Sequence, residues 1–125
     1  MSGEIKVVAS IEVNKDALKI PKTGGGTQLI DMTGIGGGGP GVVEIGSGGE
    51  EDITFTDITT EGWCWMKNLD PANFVQYGPK DGTAMVPFGK LKAGEWCVFR
   101  MDPGITLRMI ADTAPVNVQI KLFED

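Results

Sequence analysis

The chain has 125 residues and a formal net charge of −6. That length fits one domain able to hide roughly two-thirds of its unfolded surface. The acidic balance argues against general binding to phosphate backbones, which takes clustered Lys and Arg, and suits solubility or docking onto a basic surface.

Taken in order, Ile5-Lys6-Val7-Val8-Ala9-Ser10-Ile11-Glu12-Val13 alternates with β-branched residues and predicts a strand. Asn14-Lys15-Asp16 is a turn, and Ala17-Leu18-Lys19-Ile20 a short strand stopped by Pro21. Gly24-Gly25-Gly26 is a flexible connection before a short strand over Thr27–Met32. Gly34–Gly41 is expected to be neither helix nor stable strand, because glycine loses too much backbone entropy on ordering. Val42–Ile45 is a brief strand, and Gly46–Asp52 a loop ending in the acidic triplet Glu50-Glu51-Asp52. Ile53–Ile58 alternates as a strand.

Gly62-Trp63-Cys64-Trp65-Met66 then places Trp63 and Trp65 on one face of a strand. Leu69-Asp70-Pro71-Ala72-Asn73 is turn chemistry, and Phe74-Val75-Gln76-Tyr77 reads as the returning strand of a central hairpin. Asp81-Gly82 supplies a positive φ cheaply. Ala84–Phe88 is an edge or bulged strand because Pro87 cannot donate. Trp96–Met101, Ile105–Ala111 and Val116–Leu122 complete the set. The expected fold is an all-β antiparallel sandwich, jelly-roll-like, of 8–10 short strands with little or no helix. Residues 1–125 are read as one domain whose first 50 residues are Gly-rich and arm-like. Thirteen of the nineteen glycines lie there, and all nine aromatics follow residue 54.

The sequence contains no histidine. This removes a Ser-His-Asp triad, a Cys-His dyad and most zinc sites. Cys64 and Cys97 form no CxxC and read as buried thiols or a cross-strand disulfide. Gly34–Gly39 fits GxGxxG in letters only, since no helix can follow Gly37-Gly38-Gly39-Pro40-Gly41. Glu50, Glu51, Asp52, Asp70 and Asp102 read as turn acids, without the alternating oxygens of a calcium loop. No enzyme, metal or cofactor is expected. Trp63, Trp65, Phe74, Tyr77 and Trp96 are expected to form a core hairpin holding two sheets together; an exposed platform for a sugar is the alternative. Arg100 and Arg108 are expected to pair with Asp57 or Asp102, or with acids of a partner. Met1-Ser2-Gly3-Glu4 lacks a basic n-region, and no run reaches the roughly 20 apolar residues of a membrane span, so neither secretion nor a membrane partner is expected.

The runs Gly62–Asp70, Asn73–Gly78, Phe88–Glu95 and Arg100–Gly104 resemble small β-rich virion proteins of tailed bacteriophages. In that group a strand ending in K-N-L/T-D is followed by N-x-V-x-x-G, L-K-x-G-E and P-G. The resemblance covers about residues 53–124. It implies a non-enzymatic structural protein of the virion, assembled in the host cytoplasm: a capsid decoration (cement) protein, or a tail or baseplate component. The implied partners are the major capsid protein or another virion protein and further copies of the chain, as a dimer or trimer, without direct nucleic-acid contact. Gly24, Gly36, Gly38, Pro40, Glu50, Glu51 and Asp52 are the expected interface loops. A carbohydrate-binding module using the tryptophans is the competing reading.

Overall fold

The computed structural model describes residues 3–32, 34, 36–56 and 58–125. Among them the chain forms eleven strands and no helix. In chain order these are β1 (Ile5–Lys15), β2 (Leu18–Ile30), β3 (Gly37–Ile45), β4 (Glu51–Asp52), β5 (Glu61–Asn68), β6 (Val75–Asp81), β7 (Ala84–Met85), β8 (Gly89–Leu91), β9 (Trp96–Arg100), β10 (Leu107–Ala111) and β11 (Val116–Glu124). The chain divides into two compact units, residues 1–33 and 34–125.

The first unit is the β1–β2 hairpin. Its turn is Asp16-Ala17, with Asp16 at φ 50°, a left-handed conformation that Asp tolerates better than most residues.

The second unit is the sandwich. One sheet runs β3-β11-β5-β9; the other runs β4-β10-β6, with β7 and β8 both pairing with β6. Successive strands cross between sheets so that the orders β3-β11-β5-β9 and β4-β10-β6-β8 result, which is jelly-roll topology. The alternation in β11 shows why. Val116, Val118, Ile120 and Leu122 are fully buried between the sheets while Asn117 and Lys121 face outward. Each such burial contributes about 1.5–3 kcal/mol. Cys64 and Met66 of β5 meet them from the same sheet, and Val75, Leu91, Leu107 and Met109 from the other; all belong to one core cluster.

Three expectations are corrected. Trp63–Gly78 is not a hairpin: β5 and β6 lie in different sheets, and the turn between them is a corner. Asn68 fixes it. Fully buried, its side-chain amide donates to the carbonyls of Asn73 (2.9 Å) and Leu91 (2.9 Å), and its Oδ1 accepts from the Asp70 N–H (2.8 Å). Asp70 then accepts from the N–H groups of Ala72 (2.9 Å) and Asn73 (2.6 Å). Second, the glycine run does enter a strand: Gly37–Ile45 pairs with β11. The β11 ladder offsets the entropy cost, Gly37, Gly38 and Gly41 supply positive φ, and Pro40 is tolerated because β3 is an edge. Third, Ile53–Ile58 carries no strand among its described residues; only Glu51 and Asp52 pair, with β10.

Replacing Asn68 by Ala removes its bonds to the buried Leu91 carbonyl and to the half-buried Asn73 carbonyl and Asp70 N–H, at a cost of about 3 kcal/mol. The expected outcome is a lower urea midpoint for Asn68→Ala at unchanged m-value, read by tryptophan fluorescence.

Candidate assembly surfaces

The hairpin unit consists of two strands and has no second layer within itself. By alternation, Ile5, Val7, Ile11 and Val13 share one face of β1. Ile30 stands opposite Ile5, Ile20 opposite Val13 and Leu18 opposite Lys15. Ile11 (65%), Leu18 (57%) and Ile20 (42%) are nevertheless exposed, as are Val8 and Leu29 on the other face. Two irregularities, between Val8 and Ser10 and between Ile11 and Val13, interrupt the register; such bulges increase local twist. Gly24 stands at the first, where an added Cβ would lie 3.0 Å from the Ala9 carbonyl oxygen. The open end is tied by the Gly3 N–H donating to Asp31 (2.7 Å). A hairpin of this kind is marginal in water on its own, so its apolar stripe calls for a covering surface.

The sandwich carries an apolar cleft of about 470 Å³ lined by Tyr77, Phe88, Phe99, Met101, Ile105 and Leu107 among others. Tyr77 stacks on Phe99 with centroids 6.4 Å apart and planes 4° apart, and meets Phe88 edge-on at 6.4 Å. Phe88 is 81% exposed. Its placement depends on glycine: a Cβ on Gly78 would lie 1.8 Å from the Val86 oxygen, and one on Gly89 2.3 Å from the Tyr77 ring. Burial pushes the Tyr77 phenol up to about 12, so it stays protonated.

One rim of the cleft leads to β9, the end strand of its sheet. The Asn68 N–H donates to the Glu95 carbonyl (2.9 Å) and the Met101 N–H to the Gly62 carbonyl (2.8 Å). With Met66 opposite Cys97 and Cys64 opposite Phe99, the odd-numbered residues of β9 therefore bond β5. The backbone groups of Trp96, Val98 and Arg100 point to the other edge, where no strand pairs among the described residues.

The aromatic expectation is corrected in part. Trp63 and Trp65 do share a face, but it is the outer one. Their neighbours Cys64, Met66 and Asn68 take the core side, leaving both indoles half-buried. There they lie under cations: the Arg100 guanidinium is 5.6 Å from the Trp63 ring and the Lys121 ammonium 5.9 Å from the Trp65 ring. The Trp63 indole N–H is buried without a hydrogen-bond partner among the described residues. Trp96 is 50% exposed, on the same outer face beside Lys67. Phe74 is half-buried under the Lys90 ammonium at 4.3 Å. Of the five named aromatics only Tyr77 packs against the core.

The acidic triplet is corrected as well, because its side chains are engaged within the sandwich. Glu50 accepts from Arg108 (3.0 Å) and from the Met85 N–H (2.8 Å). Glu51 accepts from the Gly46 N–H. Asp52 accepts from Arg108 (2.5 Å) and Lys80 (3.3 Å). Arg100 pairs with Asp125, not Asp102; Asp57 lies outside the described residues. Gly38 and Pro40 sit in β3, Pro40 opposite Lys121, and the Gly36 carbonyl accepts from the Glu124 N–H (3.0 Å). Of the expected interface positions, Gly24 alone lies in the hairpin unit, and it is not in a loop: β2 runs through Pro21 and Gly24–Gly26, and Gly24 pairs with Ser10, because the β1 ladder carries the strand past both breakers. Sequence reasoning missed Phe88 and the β9 edge, although Gly78 and Gly89 bracketing the Pro87 segment marked the close approach that presents Phe88.

Cys64 and Cys97 are free thiols. Cys64 faces Phe99, and Cys97 faces Met66, so the two stand diagonally instead of opposite. Burial pushes Cys64 up to about 12 and raises Cys97 as well. Among the described residues no group of three or more His, Cys, Asp or Glu could hold a metal ion. Comparison with protein-family models, curated proteins and solved structures finds no match to this chain.

Two outcomes follow from these environments. Unreduced protein takes two alkyl groups after denaturation, while the folded protein reacts with Ellman's reagent slowly at both thiols; mass spectrometry checks both. The Asp52 carboxyl is held below its ordinary 3.8 chiefly by the Arg108 hydrogen bond, and Asp70 below its own 3.8 by the Asn73 and Ala72 N–H groups. A depressed folded value contributes stability above the unfolded value, and that stability is lost as pH falls through the folded one. The urea midpoint should therefore hold from about pH 7 to pH 5 and fall below about pH 4, less steeply in Arg108→Gln and in Asp70→Asn than in the parent chain.

Proposed function

We propose that the chain is a non-enzymatic structural protein of a tailed-bacteriophage virion, a capsid decoration protein that binds and stabilises the shell. The observation that carries this reading is the hairpin unit: eleven and thirteen residues of strand with an exposed apolar stripe, in a chain whose sandwich already has its own core. Such an arm has little to do for an isolated molecule and much to do against a neighbour, where strand addition and apolar burial act together. The jelly roll is used by viral capsid domains and by lectins alike, so the fold supports the reading without deciding it. The resemblance over residues 53–124 points the same way. In this reading the sandwich is the block placed on the shell, and the arm is the tie to the major capsid protein and to further copies. Assembly takes place in the bacterial cytoplasm.

Two other placements have distinct consequences. A tail or baseplate location puts the chain elsewhere in a cryo-EM map of the particle. A carbohydrate-binding role is favoured by Trp96, which is exposed on the same outer face as Trp63 and Trp65; it requires glycans to quench tryptophan fluorescence, and flat titrations across a glycan array contradict it.

The test of decoration uses capsids stripped of accessory proteins. The full chain should bind them at saturating, repeated sites and raise their disruption temperature by several degrees. Residues 34–125, which contain the whole core cluster, should bind at least tenfold more weakly. A chain that neither binds nor stabilises capsids contradicts the reading.

A further inference from the structure

We propose that the β1–β2 arm of one copy docks on the sandwich of a second copy, adding a strand to the free edge of β9 and laying its apolar stripe in the Tyr77–Phe88–Phe99 cleft. This deepens the assembly reading and rests on it, by naming the partner and the surface.

Each half of the interface is incomplete where the other is rich. The β9 edge presents the backbone groups of Trp96, Val98 and Arg100 to no strand among the described residues, an arrangement that accepts an added strand. The cleft beside it is walled by Phe88 and Ile105, exposed at 81% and 41%. The arm offers Ile11, Val13 and Ile20 on one face, at the spacing that a strand laid along a sheet edge directs to one side. Its size is also right. The two strands supply eleven and thirteen residues, so either one spans the five residues of β9 with length to spare.

Charge favours the same pairing. Residues 34–125 hold seven basic and thirteen acidic side chains, whereas residues 1–33 hold four of each. Three of those four bases, Lys15, Lys19 and Lys22, are exposed towards the turn end of the hairpin, with Asp16 among them. The arm therefore brings a locally basic tip to a sandwich that repels its own kind. Since every copy gives one arm and receives one, the contact closes into a dimer or small ring when the rotation permits.

Strand addition predicts which backbone atom matters. The Val98 N–H faces the open edge and makes no bond to β5, so Val98→Pro removes a docking donor while leaving the ladder to β5 in place. Size exclusion with light scattering should give an oligomer for the full chain and monomers for residues 34–125 and for Val98→Pro, each folded by circular dichroism. Mixing the two monomeric proteins should restore a one-to-one heterodimer, because one supplies an arm and the other an intact edge. Phe88→Asp, at a side chain already exposed, is the second edge variant should the proline unfold β9, and should also be monomeric.

A full chain that remains monomeric, an arm-less chain that self-associates equally, or folded edge variants that oligomerise as the parent does each overturn the proposal. Capsid binding separates this from the decoration reading. A monomer that still binds capsids through its arm overturns the copy-to-copy contact alone. An oligomer that ignores capsids supports the contact and counts against decoration.

Discussion

The jelly roll depends on the corner that Asn68 closes. β5 must leave one sheet and β6 must start the other, and the chain has only residues 69–74 in which to cross. One buried amide spends its hydrogen-bonding capacity on three separate pieces of backbone, at Asp70, Asn73 and Leu91. It thereby joins the end of β5, the corner and the end of β8. A buried polar group is costly unless satisfied, so only this arrangement of the three pieces tolerates it. The strands that follow inherit the crossing: β6 takes β10 on one side and β8 on the other, and the Tyr77 ring meets Phe99 across the two sheets.

How far the sequence carried this structure can be read residue by residue. Period-2 runs placed β1, β10 and β11, since their alternation is local and their apolar face must be buried or covered. Asp81-Gly82 announced the turn into β7, and Gly82 does take a positive φ of 66°. Sheet membership was not legible, because the turn chemistry of Asp70-Pro71 serves a hairpin and a corner equally. The orientation of the tryptophans was not legible either. Alternation fixes that Trp63 and Trp65 share a face, but which face is inside was decided by the zero exposure of Cys64, Met66 and Asn68 and by the cations waiting on β9 and β11. The glycine strand failed for a third reason. Its ladder comes from β11, about eighty residues later, and local entropy says nothing of so distant a partner.

The same distinction runs through the candidate surfaces. The acidic triplet looked like an interface by composition, yet Arg108 alone reaches two of its members and also the Thr83 carbonyl. It is an internal clamp on the β4–β10 margin. The features left over for a partner are of another kind: an edge strand, an apolar cleft and a hairpin with exposed isoleucines. In the proposed assembly these are the parts that would meet a partner by strand addition and apolar burial. The division of the chain supports this economy. A sandwich that holds all of the core cluster can fold as a block, and in the proposed assembly the arm finds its order on another molecule.

The most direct test of an arm ordered by assembly is amide hydrogen exchange, followed residue by residue at two concentrations. At high dilution the amides of β1 and β2 should exchange within seconds while those of β5, β10 and β11 stay protected. On assembly, the arm and the outward amides of Trp96, Val98 and Arg100 should gain protection together. Arm amides that are already protected at high dilution, or that stay unprotected in the assembled state, would contradict the account.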